Sequence, residues 1–421
     1  MVTLADIQQA HQRISSLVHR TPLLTSATLS AMTGSPVLLK AENLQRTGSF
    51  KLRGAANRIA QLSPAERRRG VIAASAGNHA QGVALAASRL KIPCVIVMPR
   101  HASITKVEAT RGYGARVELA GDSYDEAQRR AKTLAAESRL VMVHPFDDPH
   151  IIAGQGAIGL EILEDAPDVG TIVVPVGGGG LIAGIAVAVK AMAPRVRVVG
   201  VQAAAAPACV ESLRKGRRIA VRPGPTVADG IAVGRPGQLP LELIRQYVDD
   251  VVTVDEEDIT RAILLLLERC KQVVEGAGAV ALAALLAGKA GGRRQKAVAV
   301  LSGGNIDPTV IDRVVEHGLA HAGRYLMLHV VLLDRPGQLA RLLNAIAVAE
   351  GNVQDVSHLR RGLHIAIDQV EVQVSVETRG PDHIQQVLER LTASGYEAVA
   401  ELPDSAVPVR AFRARPRWIG E

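Results

Sequence analysis

From about residue 70 to 320, short apolar runs alternate with stretches whose apolar residues recur every three to four positions. VIAAS (71–75), CVIVM (94–98), LVMVH (140–144), TIVVPV (171–176), VRVVGV (196–201) and AVAVL (297–301) each read as a buried strand. Between them lie helical patterns such as HAQGVALAASRL, and SYDEAQRRAKTLAAES, which opens with Ser123 and Glu126 at capping-box spacing. Strand–helix alternation with short loops predicts parallel sheets covered on both faces, and so many units point to two such sheets.

After Gly323 the pattern changes. RYLMLHVVLL reads as a strand ended by DRPG, and the next helix has Leu339, Leu342, Leu343 and Ile346 on one face. QVEVQVSVET alternates valine with polar residues, so one strand face is buried and one wet. A second helix carries Ile384, Val387, Leu388 and Leu391, and EAVAEL closes the series as a final strand. The whole reads as β-α-β-β-α-β, a ferredoxin-like arrangement. The expected boundary lies near 322–326, dividing a first domain, 1–322, from a second, 326–402. The tail 403–421 carries four arginines and the only tryptophan, and is expected to be disordered.

Composition sharpens this reading. The 421 residues exceed one compact domain. Hydrophobic residues make up 48% and aromatics only 2%, so the core must be built of Ala, Val, Leu and Ile. The net charge of +8 is scattered, without a basic stripe interleaved with aromatics, which argues against nucleic acid as a partner. Cys94, Cys209 and Cys270 are the only three cysteines and lie far apart, against a disulfide framework and for a reducing compartment. The polar N-terminus lacks a signal-peptide core, and the longest apolar stretch, 277–288, is too short to span a membrane. A soluble, cytoplasmic protein is expected.

Candidate chemistry clusters at turns. Residues 47–54 read TGSFKLRG, placing Lys51 beside Phe50 at a helix start. Three glycine-rich turns follow strands: SAGNH (75–79), GGGGL (177–181) and SGGN (302–305). In open α/β sheets, ligands sit beyond the strand carboxyl ends, where these turns lie. GGGGL precedes the helix pattern LIAGIAVAVKAM, so its amides and the helix N-terminus can converge on an anion. A P-loop would end in Gly-Lys-Ser/Thr, and Leu181 stands there instead. Gly178, Gly180 and Ala183 nearly meet the dinucleotide fingerprint, but Gln202 occupies the place of its ribose-binding acid. A phosphate monoester fits better. A lysine amine, a phosphate cradle and polar turns for a small acid are together what pyridoxal phosphate requires.

TGSFKLRGA, SAGNHAQG, PVGGGGL and LSGGN together resemble the serine/threonine dehydratase family of pyridoxal-phosphate enzymes, in order and spacing across roughly residues 5–320. The form with one C-terminal ACT domain would cover nearly the whole chain. The resemblance implies a tryptophan-synthase-β-like (fold type II) α/β catalytic domain with two parallel-sheet subdomains, plus a ferredoxin-like βαββαβ ACT domain. It implies a threonine ammonia-lyase activity, with serine as a further substrate, and an alternative as a serine racemase or other β-hydroxy amino acid dehydratase.

Roles follow position by position from that resemblance. Lys51 would form the imine with the cofactor and take the Cα proton. Phe50 would pack against the ring, Asn78 would bond the ring hydroxyl, and Ser302 would face the pyridine nitrogen. Gly177, Gly178, Gly179, Gly180 and Leu181 would hold the phosphate. Ser75, Gly77 and His79 would hold the substrate carboxylate. Racemases of this family place a serine where Ala76 stands and bind a divalent cation where Gln202, Ala206 and Ala208 stand; the resemblance therefore implies neither racemisation nor a metal. In the C-terminal module, Asp334, Pro336, Gly337, Gln338 and Leu339 are the expected amino-acid effector site, isoleucine or valine the expected effector, and a homodimer or homotetramer the expected assembly. The metabolic setting such an enzyme would serve is isoleucine biosynthesis or threonine catabolism.

Overall fold

The structure is a computed structural model, and it describes residues 1–292, 295–360 and 366–401. Two compact units divide the chain, the first Met1–Asp307 and the second beginning at Pro308.

The first unit holds two sheets. The larger has six strands in the order Leu23–Thr25, Val37–Lys40, Ala297–Val300, Thr171–Pro175, Arg197–Ala203 and Asp250–Val254. Every neighbouring pair is parallel except the first. The smaller is parallel throughout, in the order Arg116–Leu119, Cys94–Met98, Val71–Ala74 and Val141–Met142. Val71–Ala74, Cys94–Met98 and Thr171–Pro175 are buried at every residue, as strands covered on both faces must be.

Four strands escaped the apolar pattern: Leu23–Thr25, Val37–Lys40, Arg116–Leu119 and Asp250–Val254. They are short or carry charge, and Val37–Lys40 even ends on a fully buried lysine. Conversely, 140–144 shrinks to Val141–Met142. Nδ1 of His144 accepts the amides of Phe146 (3.3 Å) and Asp147 (2.8 Å), which turns the chain out of the sheet. The helix Tyr124–Ser138 is capped by Ser123, but Glu126 bonds the amide of Asp122 (2.6 Å) rather than that of Ser123, so only half of the expected capping box forms.

Three helices of this unit meet through glycines. A Cβ on Gly154, in the helix Pro149–Asp165, would come within 2.6 Å of the Arg53 carbonyl oxygen in the helix Lys51–Ala60. One on Gly184, in the helix Gly180–Met192, would overlap the Ile152 carbonyl. Arg53, at the first of these seams, also belongs to a buried ion cluster. Lys40 Nζ donates to Glu161 (2.6 Å), and Arg53 donates to both Glu161 (2.7 Å) and Glu42 (2.8 Å). Removing one member of such a cluster strands the others, at a cost of about 3–5 kcal/mol.

The second unit runs strand Tyr325–Leu333, helix Gln338–Val348, strands Asn352–Leu359 and Gln369–Glu377, helix Pro381–Ala393 and strand Ala398–Glu401. Its antiparallel sheet has the order Asn352–Leu359, Gln369–Glu377, Tyr325–Leu333, Ala398–Glu401. Leu342, Ile346, Ile384, Val387 and Leu391 bury against the valines of one sheet face. A register shift between Val353 and Asp355 breaks the alternation of Asn352–Leu359, so that strand carries no clean pattern in its sequence. The helix Pro308–His321 packs against Tyr325–Leu333 and belongs by its contacts to the second unit. The segment 402–421, expected to be disordered, lies outside the described residues. Among the described residues no helix is long and apolar enough to cross a membrane.

Candidate active site

Lys51 opens the helix Lys51–Ala60, with Phe50 as a cap residue that offers no side-chain bond. Its half-buried amine donates to the Pro145 carbonyl (3.0 Å) and lies 5.1 Å from the Phe50 ring centroid. Burial pulls the amine down to about 8, against the opposing pull of the Glu275 carboxyl. The helix N-terminus disfavours a cation as well. An amine so placed is still mostly protonated near physiological pH, but its neutral, nucleophilic fraction is far larger than that of an ordinary lysine.

The segment Pro145–Asp147 links this lysine to the glycine turn. Pro145 accepts from Lys51, and the Phe146 ring fills the space where a Cβ on Gly178 would be. Asp147 accepts the amides of Gln238 (2.8 Å) and Leu239 (3.0 Å), fixing the helix Gln238–Tyr247. Gly179 has φ +93°, which favours glycine at the entry to the helix Gly180–Met192. Among the described residues, the amides of Gly177, Gly178, Gly179, Gly180 and Leu181 donate to no backbone carbonyl. They are the free donors that a helix start leaves for an anion.

The other two turns close the site. The Phe50 amide donates to the Ser302 carbonyl (3.1 Å), and Ser49 and Gly303 form a bridge. The Ser302 hydroxyl is buried and reaches the Ala277 carbonyl (3.3 Å). The helix Asn78–Arg89 starts at the SAGNH turn, and a Cβ on its Gly82 would come within 3.0 Å of the Lys51 backbone. The Gly77 amide donates to Ser75 Oγ (3.2 Å), while those of Asn78 and His79 donate to no backbone carbonyl among the described residues. The His79 ring turns away to Val143 O (2.9 Å). Burial drives it down to about 3, helped by the Lys51 charge, so the ring is neutral with its proton on Nε2.

Two residues that sequence reasoning had not assigned complete the arrangement. Glu275 precedes the wholly apolar helix Gly276–Leu286 and accepts from Asn78 Nδ2 (2.6 Å). Burial and the nearby Asp229 push its carboxyl up to about 7, against the Asn78 hydrogen bond, Lys106 and Lys51. Asn305 donates to Asn78 Oδ1 (2.7 Å). A lone acid before an otherwise apolar helix was the available signal for Glu275, and Asn305 closes the SGGN turn itself.

The expected effector residues fall in the second unit. Asp334 is ion-paired with Arg360 (3.0 Å), and Gly337 leads into the helix Gln338–Val348 at φ +85°.

A depressed lysine amine, a turn of free amides with no room for side chains and polar turns at strand ends accommodate pyridoxal phosphate: the amine for its aldehyde, the amides for its phosphate. Two parallel α/β sheets around such a site define the fold type II class of pyridoxal-phosphate enzymes. Residues 14–303 match the family model described as "Pyridoxal-phosphate dependent enzyme", and the chain belongs to that family. An L-threonine ammonia-lyase of Thermotoga maritima is 51% identical over 94% of this chain and 99% of its own. Among solved structures, the processed form of threonine deaminase isoform 2 from Solanum lycopersicum matches with TM-score 0.72 and 39% identity, over 74% of this chain and 86% of its own. Maize serine racemase matches with TM-score 0.72 and 36% identity, over 76% and 98%.

Proposed function

We infer that the protein is a pyridoxal-phosphate-dependent L-threonine ammonia-lyase, converting L-threonine to 2-oxobutanoate and ammonia and, in the same way, L-serine to pyruvate. The observation that carries this is the convergence of Lys51, the Gly177–Leu181 amides and the Ser302 turn, in a chain 51% identical over nearly its whole length to an L-threonine ammonia-lyase.

Pyridoxal phosphate, when bound, withdraws electrons from the substrate α-carbon and so acidifies its Cα–H. Lys51 holds the cofactor and, as a neutral amine, takes that proton. The amides of Gly177–Leu181 hold the phosphate, and Phe50 packs beside the ring. Asn78 donates to the ring hydroxyl. The Ser302 hydroxyl would face the pyridine nitrogen and, unlike a carboxylate, would not enforce its protonation, which suits elimination of the β-hydroxyl. Ser75 and Gly77 bound the substrate carboxylate. His79 serves there through its amide, because its ring is committed to Val143.

Racemisation needs an acid–base group on each face of the cofactor. Ala76 offers only a methyl group. Gln202 is spent within the fold: it donates to Val176 O (3.2 Å) and accepts from Cys209 N (2.9 Å) and Val210 N (3.0 Å). The elimination reading is therefore favoured, with no divalent metal at that site. The test is an oxo-acid assay over a panel of β-hydroxy amino acids, with chiral analysis of recovered serine. D-serine formed as fast as pyruvate would overturn the reading.

The second unit is read as an ACT domain, a sensor in which the turn Asp334–Leu339 and the first amides of Gln338–Val348 take up isoleucine or valine at a subunit interface of a homodimer or homotetramer. Its βαββαβ order and the extension of the Thermotoga maritima match over 94% of the chain support this. End-product control by isoleucine would suit a cytoplasmic enzyme of isoleucine biosynthesis.

A further inference from the structure

Asn78 is held at both ends of its side chain. Asn305 Nδ2 donates to the Thr47 carbonyl (2.7 Å) and to Asn78 Oδ1 (2.7 Å), which uses both of its hydrogens. Asn78 Nδ2 in turn donates to Glu275 Oε1 (2.6 Å). The oxygen and nitrogen of an amide are exchangeable in shape, so polarity must be read from partners. Here a backbone carbonyl settles it. Thr47 O can only accept, so Asn305 must present nitrogen there. Asn78 must then present oxygen to Asn305 and nitrogen to Glu275. A flipped Asn78 would set N–H against N–H at Asn305 and oxygen against oxygen at Glu275.

The anchors are themselves fixed. A Cβ on Gly48 would overlap Asn305 Oδ1, and one on Gly303 would overlap Glu275 Oε1. The Glu275 amide also donates to the Gly303 carbonyl (3.1 Å). Around Glu275 stand Asp229 in the turn Asp229–Ile231, Lys106 in the helix Ile104–Gly112 and Lys51 in its own helix, with Lys106 and Asp229 3.7 Å apart. Glu275 accepts from Asn78 whether or not its other oxygen is protonated, so the arrangement survives titration of the acid.

We propose that Asn305 and Glu275 are positioning residues that lock the amide polarity of Asn78. Asn78 can then offer the cofactor only its remaining N–H, never its carbonyl oxygen. This rests on the reading in which Asn78 faces the cofactor's ring hydroxyl. A donor there stabilises the ionised ring oxygen, and an acceptor the protonated one. The lock therefore selects the electronic form in which the cofactor is bound, which its absorption spectrum reports directly.

The experiment compares holoenzymes of the wild type, Asn78→Ala, Asn305→Ala, Asn305→Asp, Glu275→Ala and Glu275→Gln. It reads the ratio of visible to near-ultraviolet cofactor absorption and the cofactor dissociation constant, with circular dichroism to confirm folding. Asn78→Ala lowers the ratio by roughly tenfold, the weight of one hydrogen bond to a charged group. Asn305→Ala and Glu275→Ala fall toward it. Asn305→Asp, which keeps the shape but removes the donor, falls as well and stands in if the alanine variant does not fold. Glu275→Gln, which still accepts, stays within about twofold of the wild type. If Asn78→Ala lowers the ratio while the Asn305 variants and Glu275→Ala keep it, the lock is refuted and the placement of Asn78 stands. If Asn78→Ala itself leaves the ratio unchanged, both fall. A merely structural role would lower stability in these variants without moving the ratio.

Discussion

The amide of Phe50 donates to the carbonyl of Ser302 at 3.1 Å. This one bond joins the segment carrying the reactive amine to a turn more than 200 residues later in the chain. Lys51 is thus placed by tertiary contacts on both sides, Ser302 through its neighbour and Pro145 through its own Nζ.

The state of that amine is measurable. Burial holds Lys51 near 8, and its neutral form is the nucleophile. Loading of cofactor-free protein with pyridoxal phosphate should accelerate as pH rises through about 8 and then level off. An ordinary lysine, titrating at about 10.4, would keep accelerating beyond that. Lys51→Ala should abolish turnover, and borohydride reduction with peptide mapping should label Lys51 in the wild type. A rate still climbing at the pH of an ordinary lysine, or a label on another lysine, would contradict the assignment.

Gly178→Ala places a methyl in the Phe146 ring. Overpacking of this kind costs about 1–3 kcal/mol. The ring can relieve it only by moving the segment that also receives Lys51. Urea denaturation should show the stability loss, and cofactor titration should show weaker binding. Unchanged cofactor affinity would mean that the turn does not hold the phosphate.

His79 gives a pH signature. Its native form is neutral down to about 3, whereas the unfolded chain takes a proton near 6.5. Between those values the unfolded state binds more protons, so stability falls as pH falls, by about 1.4 kcal/mol per unit. Above 6.5 the contribution is fully present. His144, also drawn down by burial, acts in the same direction. Urea midpoints at two pH values on either side of 6 should fall further in the wild type than in His79→Gln. Equal losses would remove His79 from the account.

Much of this was legible in the sequence because the site is built from turns. Lys51, the SAGNH turn, the four glycines and Ser302 all follow strands or open helices, and their composition marks them. The β-branched runs gave the buried strands for the same reason. What stayed hidden depends on tertiary partners. Lys40 and Arg53 are fully buried, which no local pattern announces, because Glu42 and Glu161 are brought to them by the fold. Glu275 and Asn305 reach the site by bonding Asn78, 197 and 227 residues away from it. The His79 ring is claimed by the Val143 carbonyl, which no local pattern announces.

The turn before Gln338 supports a regulatory test. Asp334 is exposed enough that its pair with Arg360 is worth less than about 1 kcal/mol, so Asp334→Asn should fold normally. Isoleucine or valine should shift the apparent threonine affinity of the wild type about 5–150-fold, the range of a coupling of roughly 1–3 kcal/mol. Asp334→Asn should lose that shift and keep the basal rate. Saturation kinetics on both proteins decides it: no shift with any amino acid in the wild type would make the second unit an assembly module.

The glycine seams joining Lys51–Ala60, Pro149–Asp165 and Gly180–Met192 bear on redesign. Side-chain packing can be rearranged by compensating substitutions, but a contact of backbone against backbone offers no side chain to exchange. The spacing between the amine and the phosphate turn is therefore inherited from the main chain. Libraries that randomise Gly154 or Gly184 will therefore return the original residue.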